Sequence, residues 1–247
     1  MIGKEHVMRE NNNLNKWVKK YPYPRRLFIR GLLRMSIAIV GGILTKFEIS
    51  GQENLPEKGP FIIVGNHFHF LDTIGPIHST PYPLEFIGDI EMPNAPMLMR
   101  LFPNAWSTLK IEQGTPNFEA LRAAEAVLAQ KGVLVIFPEG HVHQPPLGCA
   151  LPGAAYLAMR SAVPIIPIAT YSDNHWDLFG TIRQHKRRLR IWTNIGKAFG
   201  PLSAAGIQRP SREEIKDSSR VIMSQIATLM PPSFRGEYDP AINSAAV

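Results

Sequence analysis

Cysteine is almost absent. Cys149 stands alone among 247 residues, which excludes an intrachain disulfide and suits a reducing compartment. The first 24 residues are polar and basic without an apolar centre, so they do not read as a secretory signal. No long unbroken apolar run is present either. The least polar N-terminal stretch is Met35–Leu44, and extending it back to Leu27 brings in Arg30 and Arg34. That falls short of the roughly 20 apolar residues a spanning helix needs, and predicts a segment that lies on a membrane rather than crossing it. The basic run Arg183–Arg190 holds no aromatic residue. With no stacking platform and no recognition-helix motif, nucleic acid is not an expected partner. Repeats and low-complexity tracts are missing as well.

Hydrophobic residues make up 45% of the chain and charged residues 19%, a globular balance that excludes global disorder. The length suits one well-buried domain rather than two. The net charge of +7 is unevenly placed: ten Lys and Arg against three acids lie between Met1 and Ser50. Such a patch attracts nucleic acid or anionic lipid. From Arg25 to Leu44 the pattern is helical, with Arg26, Arg30 and Arg34 at four-residue spacing among Leu27, Ile29, Leu32, Leu33, Ile37 and Ile39. A basic stripe with bulky aliphatics describes an interfacial helix, and the alternative is an ordinary helix packed on the core with its arginines in water. Residues 1–45 therefore read as a basic, amphipathic membrane-associating segment, 46–230 as the folded domain, and 231–247, rich in Pro, Ser and Ala, as a flexible tail.

Within the domain, strand-like runs occur at Lys46–Ser50, Phe61–Val64, Leu84–Ile87, Ser107–Ile111, Val133–Phe137, Ile165–Thr170 and Leu189–Thr193. Helical patterns fall at Asn117–Gln130, Gly153–Ala162 and Arg212–Leu229, the last opening at Ser211 with Glu213 and Glu214 in its first turn. This alternation predicts an α/β fold, a mostly parallel sheet covered by helices on both faces.

Two strand-to-turn segments carry candidate chemistry. In Gly65-Asn66-His67-Phe68-His69-Phe70-Leu71-Asp72 an imidazole emerges where a buried strand ends, the place where open α/β sheets hold their chemistry. It can take a proton from a hydroxyl, and a carboxylate five positions on can orient it. Five residues on a helix turn about 500°, so the two meet only if His67 lies in the loop and Asp72 in the first helical turn. Asp72 as a helix cap beside a structural His67 is the competing reading. In Phe137-Pro138-Glu139-Gly140 the Pro stops the strand, the Gly permits close approach of a substrate, and Glu139 is left to accept hydrogen bonds from a hydroxylated substrate or to position a basic group. A second function class uses His67, His69, His141 and His143 with Asp72 and Glu139 as a metal-dependent hydrolase site. A third is a lipid-binding protein without catalysis.

The segment His67-Phe68-His69-Phe70-Leu71-Asp72 resembles the His-x-x-x-x-Asp signature of the glycerolipid acyltransferases, the group that includes 1-acylglycerol-3-phosphate O-acyltransferase. Phe137-Pro138-Glu139-Gly140 is similar to their Phe-Pro-Glu-Gly block, and Val163-Pro164-Ile165-Ile166-Pro167-Ile168 to their Val-Pro-hydrophobic-hydrophobic-Pro-hydrophobic block. The resemblance implies that fold with an N-terminal membrane element. It also implies an acyl-CoA or acyl-carrier protein co-substrate with no other cofactor, and a lysophospholipid-type acceptor. His67 and Asp72 take the catalytic places, and Gln113, Phe137, Pro138, Glu139 and Gly140 the substrate-binding ones. The implied location is the cytoplasmic face of an anionic membrane, peripheral or monotopic. Two positions depart from the family: Gln113 stands where it has an Arg, and Leu151 where it often has a Lys. Both cations are of the kind that hold an acceptor's phosphate, and a Gln offers hydrogen bonds without charge.

Overall fold

The computed structural model describes residues 14–88, 100–110, 118–173, 177–203 and 210–244. Seven strands form one sheet: β1 (Thr45–Ser50), β2 (Phe61–Gly65), β3 (Leu84–Gly88), β4 (Leu109–Lys110), β5 (Val133–Ile136), β6 (Ile165–Ser172) and β7 (Leu189–Ile195), in the order β1-β7-β6-β2-β5-β3-β4. Every neighbouring pair is parallel except β6 and β7. β2 and β5, at the centre, are buried throughout, as strands covered on both faces must be. Their alternate side chains enter two cores. Ile62, Val64, Leu134 and Ile136 face α4 (Phe118–Ala129), α5 (Pro152–Ser161) and α7 (Arg212–Ala227). Phe61, Ile63, Val133 and Val135 face the side of Ile77, in α2 (Ile74–Ser79), and Trp106, in α3 (Phe102–Trp106). α7 begins at a capping box in which Ser211 Oγ accepts from Glu214 N and Glu214 Oε2 accepts from Ser211 N, relieving two of the free donors at a helix start.

α1 (Leu27–Leu44) is turned the other way round from both sequence expectations. Arg30 is 2% exposed and its guanidinium grips the fully buried Glu85 of β3 with two bonds, 2.7 and 2.9 Å. Arg25 reaches the same carboxylate. Arg34 donates to the carbonyls of Ile77, Thr80 and Tyr82. Leu33 and Ile37 pack against the core, but many of the other apolar residues are left outside: Phe28 is 79% exposed and Ile43 67%, with Leu27, Met35, Ile39 and Val40 exposed as well. A free Glu inside the sheet and three bare carbonyls need cations more than the core needs further leucines, and that reverses the helix.

By length and composition alone the helix could cross a membrane, with 18 residues at a mean hydropathy of 1.8 and two arginines tolerated, where the sequence reading takes it as too short. It nevertheless lies flat. It is held by Arg30 at β3, by Arg34 at α2 and by Gly41 against the Phe47 ring of β1. Its length of about 27 Å matches the roughly 24 Å from β3 to β1 across the sheet.

The expected flexible tail is packed instead. Short helices cover Pro232–Arg235 and Pro240–Ser244, and Phe234 lies between the Phe68 and Tyr171 rings, 5.8 and 5.5 Å away. Phe234 O also accepts from Leu147 N at 2.9 Å. One anchoring aromatic outweighs a composition of Pro, Ser and Ala. α6 (Leu178–His185) occupies part of the stretch read only as a basic run.

Glu85→Gln should lower the unfolding free energy by about 3–5 kcal/mol, since it strands buried guanidinium charge. Urea denaturation measures it, and a loss below about 1 kcal/mol would show that α1 is held by other contacts.

Candidate active site

β2 ends at Gly65, where a Cβ would press on the Phe137 ring and on Ile168 O, both at 3.3 Å. Beyond the strand the pairing with β6 is continued by a side chain. Asn66, 1% exposed, donates Nδ2–H to Thr170 O and accepts from Thr170 N, each at 2.8 Å. The main chain is thereby released, and it turns at His67. His69 then opens a 3₁₀ turn over Phe70–Thr73, its N–H donating to Asp72 Oδ2 at 2.8 Å and its Nδ1 accepting from Leu71 N.

His67 thus lies in the loop and Asp72 in the first helical turn. His67 Nδ1 faces Asp72 Oδ2 at 3.7 Å. Asp72 also caps the turn, so both readings of that residue describe the same atom set. His67 Nδ1 and Asp72 Oδ1 are buried with no hydrogen-bond partner among the described residues. The His67 ring lies flat on Phe137, centroids 4.4 Å apart and planes 15° apart. Burial acts against charge on both members. It pushes the His67 imidazole down to about 4 and raises Asp72 well above the usual carboxylate range, against the opposing pull of backbone hydrogen bonds from His69 and Phe68.

The second segment closes on the first. Phe137 to Gly140 make a turn, with Gly140 N–H donating to Phe137 O at 3.0 Å. Gly140 has φ of 73° and a Cβ there would meet Leu151 Cδ1 at 2.2 Å, so it is a neighbouring side chain that approaches this backbone. Glu139 does not face outward as a substrate contact. It is fully buried, with Oε2 accepting from His67 N at 2.7 Å, and Oε1 accepting from Gly148 N at 2.8 Å and lying 2.6 Å from His143 Nε2. Its partners are one basic ring and two backbone donors of its own protein. Pro138 O holds Leu151 N at 2.7 Å, and Leu151 is half-exposed beside Gly140. Gln113 lies outside the described residues.

Two of the four histidines of the metal reading, His69 and His143, are otherwise engaged. His143 presents Nδ1 to Gln144 O and Nε2 to Glu139, and His69 spends Nδ1 on Leu71. No three His, Cys, Asp or Glu side chains among the described residues gather as a metal-holding group. Asn66 and His143 were not singled out from the sequence as supports of His67. An Asn directly after a strand-ending Gly was the available signal for the first, and nothing in the pattern signalled the second.

The profile of the acyltransferase family matches residues 46–171, and the chain belongs to that family. Among solved structures it is similar to the 1-acyl-sn-glycerophosphate (LPA) acyltransferase PlsC from Thermotoga maritima. The TM-score is 0.56 at 18% identity, over 90% of this chain and 87% of that one. At this identity the likeness is one of fold alone.

Gly140→Ala should destabilise the protein by about 1–2 kcal/mol from the positive φ alone, with a further loss from the Leu151 contact. In thermal or urea unfolding, adding Leu151→Ala should relieve only the contact part. Full recovery in the double variant would refute the backbone contribution.

Proposed function

We propose that this enzyme transfers a fatty acyl group from an acyl-CoA or acyl-carrier protein thioester to the hydroxyl of a lysophospholipid-type acceptor, with His67 as general base. The observation that carries the reading is His67 at the end of a central strand, its ring held flat by Phe137 with Nδ1 toward the buried Asp72.

With Nδ1 turned to Asp72, Nε2 is the nitrogen left for the acceptor. It takes the hydroxyl proton as the oxygen attacks the thioester carbonyl. The tetrahedral oxyanion collapses, the carbon–sulfur bond breaks, and the imidazolium returns its proton to the departing thiolate. Oxygen acylation, thiol release and a regenerated base balance the step, and no protein nucleophile takes part. Asp72 serves the imidazolium that exists in between. Its oxygen is 3.7 Å away at rest, and a closure of under about 1 Å makes the charge-assisted bond of 2.7–2.9 Å. Low basicity keeps His67 unprotonated and ready at neutral pH, and that closure supplies the affinity for the proton when it is needed.

The membrane reading rests on α1. Its outer side is a continuous apolar stripe, Leu27, Phe28, Met35, Ile39, Val40 and Ile43, on a helix whose charges are spent inward. Such a stripe fits burial in the interface of one leaflet, with the domain on the cytoplasmic face. The exposed cations Lys186, Arg187 and Arg188 adjoin its C-terminal end, where Arg188 donates to Gly42 O at 2.7 Å, and they suit anionic headgroups.

His67→Ala should reduce transfer from labelled acyl-CoA to lysophosphatidic acid by 10²–10⁴-fold, roughly the contribution of a general base, with EDTA without effect on the wild type. In the wild type the acid limb of kcat/KM should fall near about 4, because burial lowers the His67 imidazole to that value. Activity is therefore retained between pH 6.5 and 5, where an ordinary histidine would already be protonated. Undiminished transfer by His67→Ala overturns the base assignment, and an acid limb at 6.5 or above overturns the depressed basicity.

Serine at Phe28, Val40 and Ile43 together should release the protein from phosphatidylglycerol liposomes in a flotation assay while leaving its melting temperature within a few degrees. Binding that persists refutes the lipid role of α1. Deleting the helix is a poorer probe, since Arg30 and Arg34 leave with it.

A further inference from the structure

We propose that His143 is a positioning residue for the acyl-transfer reaction, holding Glu139, and through it the main chain of His67, in one place. This deepens the general-base reading and rests on it. His143 reaches His67 by two routes. Its backbone N–H donates to His67 O at 3.1 Å. Its ring Nε2 lies 2.6 Å from Glu139 Oε1, while Glu139 Oε2 receives the His67 N–H at 2.7 Å. The N–H and C=O of His67 are thus both fastened to the second segment, and His143 is the residue that closes the ring of bonds.

The partners fix the ring at both nitrogens. Nδ1 lies 2.8 Å from Gln144 O, and Nε2 lies 2.6 Å from Glu139 Oε1. Glu139 accepts N–H bonds from His67 and Gly148 besides. Phe68 abuts the His143 ring edge-on and His141 lies beside it, both with centroids at 5.6 Å. Gly148 backs the ring so closely that a Cβ there would meet Nε2 at 3.1 Å. The ring has one seat, and so does the carboxylate it holds. Without the ring, the fully buried Glu139 keeps only its two backbone donors, and the acceptor of the His67 main chain is no longer held from the far side.

The test compares wild type, His143→Ala, His143→Gln and His67→Ala, all checked for folding by thermal unfolding. The Gln amide restores an N–H at the place of ring Nε2. His143→Ala should lower kcat on the order of 10²-fold, the loss expected when a reacting group is misplaced by about 1 Å, with KM within about threefold. His143→Gln should recover most of kcat. In protein labelled with ¹⁵N-histidine, the ring signals of His67 should move in His143→Ala and return toward wild type in His143→Gln. If His143→Ala does not fold, His143→Asn, too short to reach Glu139, replaces it in both readouts. A folded variant with kcat unchanged and His67 signals unmoved overturns the proposal. Transfer that survives His67→Ala while the His67 signals still follow His143 overturns the base reading instead, and leaves the positioning role supported.

Discussion

A single buried carboxylate, that of Glu139, joins the two halves of the site. It sits at the end of β5, and its oxygens bind the His67 backbone of the β2 loop on one side and the His143–Gly148 loop on the other. Neighbouring parallel strands bring their loops near each other but do not fix their relative height or angle, and Glu139 does both. A carboxyl group so fully enclosed is tolerable only because each oxygen has hydrogen-bond partners. The arrangement is therefore all or nothing. The loops hold the carboxyl and the carboxyl holds the loops, and the Phe137 ring lies flat against the imidazole beside them.

The same logic recurs across the sheet, where Glu85 is enclosed by Arg25 and Arg30. Removing two or three charges from water is costly, and an apolar substitute of equal volume often does as well. What the ions add is orientation. A helix apolar on most sides has no preferred rotation against a hydrophobic sheet. Arg30 and Arg34 give α1 one, because only a single rotation satisfies Glu85 and the carbonyls of Ile77, Thr80 and Tyr82 together.

Much of the architecture could be read from the chain alone, for identifiable reasons. Runs such as Phe61–Val64 and Val133–Phe137 are bounded by Gly and Pro and are too short for helices, and they emerge as β2 and β5 to within a residue. The five-residue spacing from His67 to Asp72 carried its own geometric condition, loop then turn, and the two residues lie that way. What was hidden depends on contacts between distant segments. The rule that charge runs are solvated misplaced Arg30 and Arg34, since Glu85 lies 55 positions from Arg30 and nothing local announces it. For Glu139 the sequence leaves two roles open, a substrate contact or a group that positions a basic one, and its pairing with the His143 ring fits the second, while its two main-chain donors leave no mark in a sequence. The tail was judged by composition when one residue, Phe234, decides it.

The antiparallel pairing of β7 to β6 has an effect on the whole layout. β1 follows β7, so both begin at the edge where β2 and β6 end. α1 runs directly into β1, so its C-terminal turn and the Lys186–Arg188 corner arrive at the rim that carries His67. Were β7 parallel to β6, the same helix would deliver its end to the far rim, a strand's length away. One reversed strand thus decides that the exposed apolar helix ends at the same rim of the sheet as His67, rather than on the opposite side of the protein.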